Sequence, residues 1–161
     1  LIIKNIENAV ISKDKRAVSY LMSAANLAGQ AINITKTTAP HALSYKIASE
    51  LNISHGHSVA IILGRFFAVN HFSPSTNRRV KKYILLQRMK TIYKTLNVNG
   101  PYRAERKWYG LMKVCGLEFN FIKLGLTNHK IVKKIIDSVN LERLENHPIN
   151  LSKSDLKNIF F

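Results

Sequence analysis

TTAPHALSYKIASELNISHGHSVAIILGRFFAVN, residues 37 to 70, holds two helix starts and three of the six histidines of the chain, His41, His55 and His57. Thr38 can cap a helix whose first turn contains Pro40, a place where a missing N–H costs nothing. Asn52, Ser54 and Gly56 then mark a turn. The segment from His57 to Phe72 is almost wholly apolar, and a helix apolar on every side belongs in the middle of a domain.

Outward from this stretch, helical periodicity continues in both directions. Upstream, Asp14 can cap a segment in which Val18, Leu21, Met22, Ala25, Ala28 and Gly29 follow three- and four-residue steps. Its small residues, SAANLAG, would let another helix approach closely. Downstream, Pro74 and the polar residues after it break the chain. A basic amphipathic segment follows, RRVKKYILLQRMKTIYKTL at 78 to 96, with Val80, Tyr83, Ile84, Leu86, Ile92 and Leu96 predicted to form its apolar face.

NVNGP is a stop and restart, and a further helix runs from Ala104 to Val114 before a turn around Gly116. Asn128 can cap HKIVKKIIDSVN. Pro148 breaks the chain once more, and Ser152 or Ser154 caps a last short helix. No period-two strand pattern or hairpin turn occurs, so the expected fold is all-α, a bundle of about eight helices.

Composition narrows the class. A chain of 161 residues and 18.3 kDa, with 46% apolar residues, 4 Pro and 7 Gly, suits one globular domain over residues 1–161. The single cysteine, Cys115, excludes a disulfide framework and a thiolate metal cluster, and predicts a buried reduced thiol in a cytoplasmic protein. The longest apolar run, VAIILG, falls far short of the ~20 residues that span a bilayer, so no membrane partner is expected. The chain opens on Leu1 within the apolar LIIKNIENAVI, which predicts a piece of a longer protein.

Charge raises a second class. The sequence has 25 Lys and Arg against 9 Asp and Glu, a net charge of +16, and a basic helical module binding nucleic acid is the alternative this suggests. Helix 78 to 96, with Tyr83 and Tyr93 among its basic residues, would be the surface. Against it, the positive charges are spread over most of the chain and no helix-turn-helix signature occurs. A non-catalytic interaction domain, self-associating as a homo-oligomer through uncovered apolar surface near LIIKNIENAVI, is a third class.

His41 and His55 each fall in the first turn of a predicted helix, so both imidazoles could point into one pocket. A helix N-terminus disfavours imidazolium and so favours the neutral form that ligates metal. A spacing of fourteen positions matches no compact zinc motif, and no Asp or Glu lies close by. From the residues alone, a metal site and ordinary capping and packing both stand. His71, His129 and His147 read as structural or solvated.

HALSYKIASELNISHGHSVAIILGRFFAVN resembles the C-terminal helical domain of the iron-containing (group III) alcohol dehydrogenases, a dehydroquinate synthase-like α domain. That family's signature is a helix opening on His-Ala-Leu, then His-Gly about fourteen positions on, then an apolar helix ending near Phe-Asn. YLMSAANLAGQAIN resembles the family's small-residue helix, and NHPINLSKSDLKNIF its closing element. The resemblance implies that His41 and His55 are two ligands of a divalent metal, Fe²⁺ or a substitute such as Zn²⁺, in an NAD(P)-linked alcohol dehydrogenase or aldehyde reductase.

The family's other two ligands, in an Asp-x-x-x-His pattern, have no counterpart before His41, where Asp14 is followed four residues later by Val18. Nor does the chain hold a Gly-rich nucleotide-binding domain. The resemblance therefore implies a domain truncated on its N-terminal side, inactive alone and at most a weak metal binder, whose partners are the missing N-terminal domain and a small-molecule substrate. Tyr45 stands where most members have a further histidine, as in the branch that includes phosphonoacetaldehyde reductases. Tyr45 then either donates a hydrogen bond to a small phosphonate aldehyde or packs.

Overall fold

The computed structural model describes residues 1–74, 76–77 and 79–161, and of Leu141 the backbone alone. Among the described residues the elements are helices: α1 (Ile2–Val10), α2 (Lys15–Thr35), α3 (Ala39–Leu51), α4 (His55–Phe72), α5 (Lys82–Thr95), α6 (Pro101–Val114), α7 (His129–Asp137), α8 (Leu141–Glu145) and α9 (Lys153–Asn158). The all-α expectation holds. Two helices have no counterpart among those expected, α1 and the 5-residue α8.

The expected caps set most boundaries. Asp14 accepts from the Ala17 N–H at 2.6 Å and Ser54 from the His57 N–H at 3.3 Å. Asn128 accepts from Lys130 and Ile131, and Ser152 rather than Ser154 caps α9, in a reciprocal capping box with Asp155. Each such cap stabilises its helix by about 1 kcal/mol. Thr38 stands at the N-cap of α3 without a side-chain bond, leaving Pro40 in the first turn as the start signal. At NVNGP, Asn97 and Gly100 take positive φ (55° and 93°), and Pro101 opens α6.

Two cores meet on α4, which is why that helix is apolar all round. Its Phe66 joins Leu43 and Ile47 of α3, Ile135 of α7 and Leu156 of α9. The next residue, Phe67, faces the other way and joins Leu85, Met89 and Tyr93 of α5 with Ala104 of α6. Full burial of each large apolar side chain contributes about 1.5–3 kcal/mol.

Helix α6 closes over α4 by using its backbone. Trp108 Nε1 donates to the Ala60 carbonyl at 2.8 Å and Tyr109 Oη to the Ile61 carbonyl at 2.9 Å. The Tyr109 ring rests on Gly64, where an added Cβ would stand 2.5 Å from a ring carbon. Glycine is required there by proximity.

Several expectations are corrected. The basic helix starts at Lys82, with Arg78 outside the described residues and Val80 ahead of the helix. Its buried face is Leu85, Met89 and Tyr93, continued by Leu96, whereas Tyr83 and Ile92 are exposed. Leu85 and Leu86 each begin a four-residue ladder; Met89 and Tyr93 complete the first, but Lys90 and Lys94 occupy the second. On α2 the buried residues are Ala17 and Ala24, with α1 packed along the helix. The side bearing Val18, Met22, Ala25 and Gly29 is exposed, and of the small residues in SAANLAG it is Ala24 that lies buried, with α1 the helix that approaches. Cys115 is a free, half-buried thiol, with a pKa pushed up by desolvation. No helix among the described residues is long and apolar enough to cross a membrane.

Candidate metal centre

The α3–α4 corner brings the two first-turn histidines together. Helix rise is ~1.5 Å per residue, so the chain from Ser44 to the end of α3 advances about 10 Å. The connector Asn52–Ser54 reverses the chain: Asn52 turns it in the left-handed region (φ 51°), the Ile53 N–H still bonds the Ala48 carbonyl, and Ser54 is extended. His55 thereby lands beside residues near the start of α3. Its ring centroid is 5.6 Å from that of His41 and 4.9 Å from that of Tyr45.

Ser44, fully buried, orients the His55 ring. Its hydroxyl donates to the His41 carbonyl at 2.8 Å, and its oxygen lies 3.4 Å from His55 Nδ1. With its proton committed to the carbonyl, Oγ accepts from Nδ1–H, and in the neutral ring Nε2 keeps the lone pair a metal would use. His41 is half-buried, and desolvation first, then His55 and Arg143, push its pKa below the usual histidine value. It is therefore neutral at pH 7, the form in which imidazole is a ligand.

Tyr45 is about half exposed, at 49%. Beyond it, the Arg143 guanidinium carbon of α8 lies 4.4 Å from the Tyr45 ring centroid. Tyr45 and Arg143 line an open cleft of about 720 Å³ together with Lys36, Arg79, Glu142 and Glu145. Arg143 was missed from the sequence because nothing in LERLE distinguishes it from the other basic residues.

The remaining histidines lie elsewhere. His57 Nε2 donates to the Glu118 carbonyl at 2.7 Å, tying α4 to the loop before α7. His71 Nδ1 meets the Tyr93 hydroxyl at 3.1 Å, and His129 stacks on Phe161 with centroids 4.7 Å apart. His147 is buried edge-on to Phe66, without a hydrogen-bond partner at either ring nitrogen among the described residues and with its pKa lowered to about 4 by desolvation. Glu50, at the far end of α3, pairs with Lys46 and Lys134.

Among the described residues, no group of three or more His, Cys, Asp or Glu side chains is placed to hold a metal ion. The chemistry of the pair nonetheless fits a divalent ion: two imidazoles, one oriented by a buried serine and one kept neutral by burial. Two donors are fewer than the three protein ligands usual in catalytic zinc sites.

The family model described as Fe-containing alcohol dehydrogenase family, C-terminal, matches residues 1–161. The phosphonoacetaldehyde reductase of Streptomyces viridochromogenes (strain DSM 40736 / JCM 4977 / BCRC 1201 / Tue 494) is 37% identical over 62 residues, which are 38% of this chain and 16% of that protein. The match thus spans about a sixth of the length of that relative. No solved structure matches.

Proposed function

The chain belongs to the Fe-containing alcohol dehydrogenase family, as its C-terminal domain, and from that premise we propose that it is the metal-holding part of an NAD(P)-linked alcohol dehydrogenase or aldehyde reductase acting on a small, phosphonate-bearing aldehyde. His41 and His55 hold a divalent ion, Fe²⁺ or Zn²⁺. The observation behind this is the 5.6 Å between two rings delivered by separate helices. When bound, the ion supplies Lewis acidity towards the substrate oxygen and the nicotinamide carries the hydride.

In this proposal the residues of the chain do the positioning. Ser44 holds the His55 ring, and burial keeps His41 neutral. Tyr45, whose hydroxyl makes no hydrogen bond among the described residues, donates one to the substrate. The remaining ligands and the nucleotide-binding domain come from the rest of the parent protein, which covers the exposed apolar side of α2. The phosphonate is suggested by the name of the matched relative and by Tyr45 in the TTAPHALSY stretch.

Titration of the chain with Co²⁺, followed by the visible ligand-field bands, tests the histidine pair. Weak binding is expected, lost in His41→Ala and in His55→Ala, and weakening as pH falls and protons compete for the imidazoles. Undiminished binding in both variants overturns the assignment. Turnover of an aldehyde with NADH or NADPH by this chain alone, at the rate of an intact enzyme, overturns the view that it is one part of the machinery.

A further inference from the structure

We propose that Arg143 is the residue that recognises the substrate's phosphonate, gripping it at the edge of the guanidinium while the face stays stacked on Tyr45. The proposal rests on the aldehyde-reductase reading for the identity of the ligand, and on the structure around Arg143 for the site.

A guanidinium has two usable surfaces. Its face attracts an aromatic ring, and its planar edge presents N–H donors in a fork that matches two oxygens of a tetrahedral anion. The face of Arg143 is engaged, with Cζ 4.4 Å from the Tyr45 centroid. Its edge makes no ion pair among the described residues, although Glu142 and Glu145 line the same cleft. The ring contact thus engages the face and leaves the edge without an ion pair among the described residues.

Position supports the assignment. Tyr45 packs against both His55 and Arg143, so the cation lies one aromatic ring away from the proposed metal ligand. A small aldehyde with its carbonyl towards His55 and its phosphonate towards Arg143 would lie along that ring. Lys36 and Arg79 line the same cleft, which is open and of about 720 Å³. The cleft contains three basic side chains against two carboxylates.

The test is titration of the whole chain with methylphosphonate at near-physiological ionic strength, read by ³¹P line broadening, with adenosine 2′,5′-bisphosphate as the cofactor-phosphate probe. Arg143→Gln is expected to weaken methylphosphonate binding about tenfold, the loss of a charge-assisted hydrogen bond pair. Arg143→Lys should fall between the two, since it keeps the charge and loses the fork. Arg106→Gln, an exposed charge on α6, should match the wild type and so remove the effect of net charge. Equal binding by wild type and Arg143→Gln, no binding by the wild type, or an Arg143-dependent preference for the nucleotide each overturns the proposal. Co²⁺ binding by Arg143→Gln and methylphosphonate binding by His41→Ala are both expected to persist, so failure of the metal assignment and failure of the anion assignment are read separately.

Discussion

Helices α2 and α4 are both long and rich in apolar residues, yet they have opposite fates. Across the 21 residues of α2, Ala17 and Ala24 are buried; across the 18 of α4, Ser58, Ile61, Ile62, Gly64, Phe66 and Phe67 are. Apolar content alone therefore does not decide burial. What separates the helices is the number of neighbours: α4 is enclosed by α3, α5 and α6, whereas α2 lies chiefly against α1.

The sharpest test of this contrast deletes side chains. Ile61, with no exposed surface, should lose about 4 kcal/mol of stability as Ile61→Ala, the transfer term plus the cavity left behind. Met22, 70% exposed, should change stability by no more than about 0.5 kcal/mol as Met22→Ala. Urea unfolding measures both. A large loss at Met22 would mean that the α2 face is covered in solution, by a second copy of the chain for instance.

A pH effect should follow the same division. The buried His147, packed on Phe66 of α4, has its folded pKa lowered to about 4, against about 6.5 in an unfolded chain. Above pH 6.5 both states are neutral there. As pH falls from 6.5 to 4 the unfolded chain takes up a proton that the folded chain refuses, so stability falls, by on the order of 3 kcal/mol in all, and then levels off. Stability measured against pH in His147→Phe should lack this slope; an unchanged slope would assign it to other groups.

Two glycines give smaller effects than Ile61 and His147. Gly64→Ala drives a methyl group into the Tyr109 ring, which is held by its bond to Ile61 and its stacking on Phe119, and should cost about 2 kcal/mol. Gly29→Ala meets nothing within 4 Å and should stabilise α2 by about 0.8 kcal/mol. Thermal melts of the pair should move in opposite directions.

Much of this arrangement is legible in the sequence where local chemistry decides it. Asp14, Ser54 and Asn128 cap as their side chains dictate, and the almost wholly apolar run from His57 to Phe72 announces a central helix. Periodicity says less about which face wins, because Leu85 and Leu86 compete on α5 until Lys90 and Lys94 exclude one ladder. It is silent on how many partners exist, which is why the apolar positions Val18 and Met22 of α2 stay exposed while Ala24 is buried. At the site, the first-turn positions of His41 and His55 can be read directly, but Ser44 and Arg143 cannot. Ser44 acts through a residue eleven positions on, and Arg143 sits on a helix too short to have a periodic signature.

The connector Asn52–Ser54 gives the fourteen-position spacing of the histidines a different meaning. That number matches no compact ligand motif; in this fold it follows from the length of α3 and its connector. The chain runs to the end of α3 and must return to Ser44 in three residues, and α4 cannot come to meet it, being fixed by the two cores and by Tyr109 on Gly64. The Ile53 N–H still bonds the Ala48 carbonyl, so Ser54 and the His55 side chain make the return, and a fully extended chain covers at most ~3.6 Å per residue. Insertions and deletions here are therefore unequal: an added residue can bulge into solvent at little cost, whereas a deleted one pulls His55 off Ser44 and away from His41.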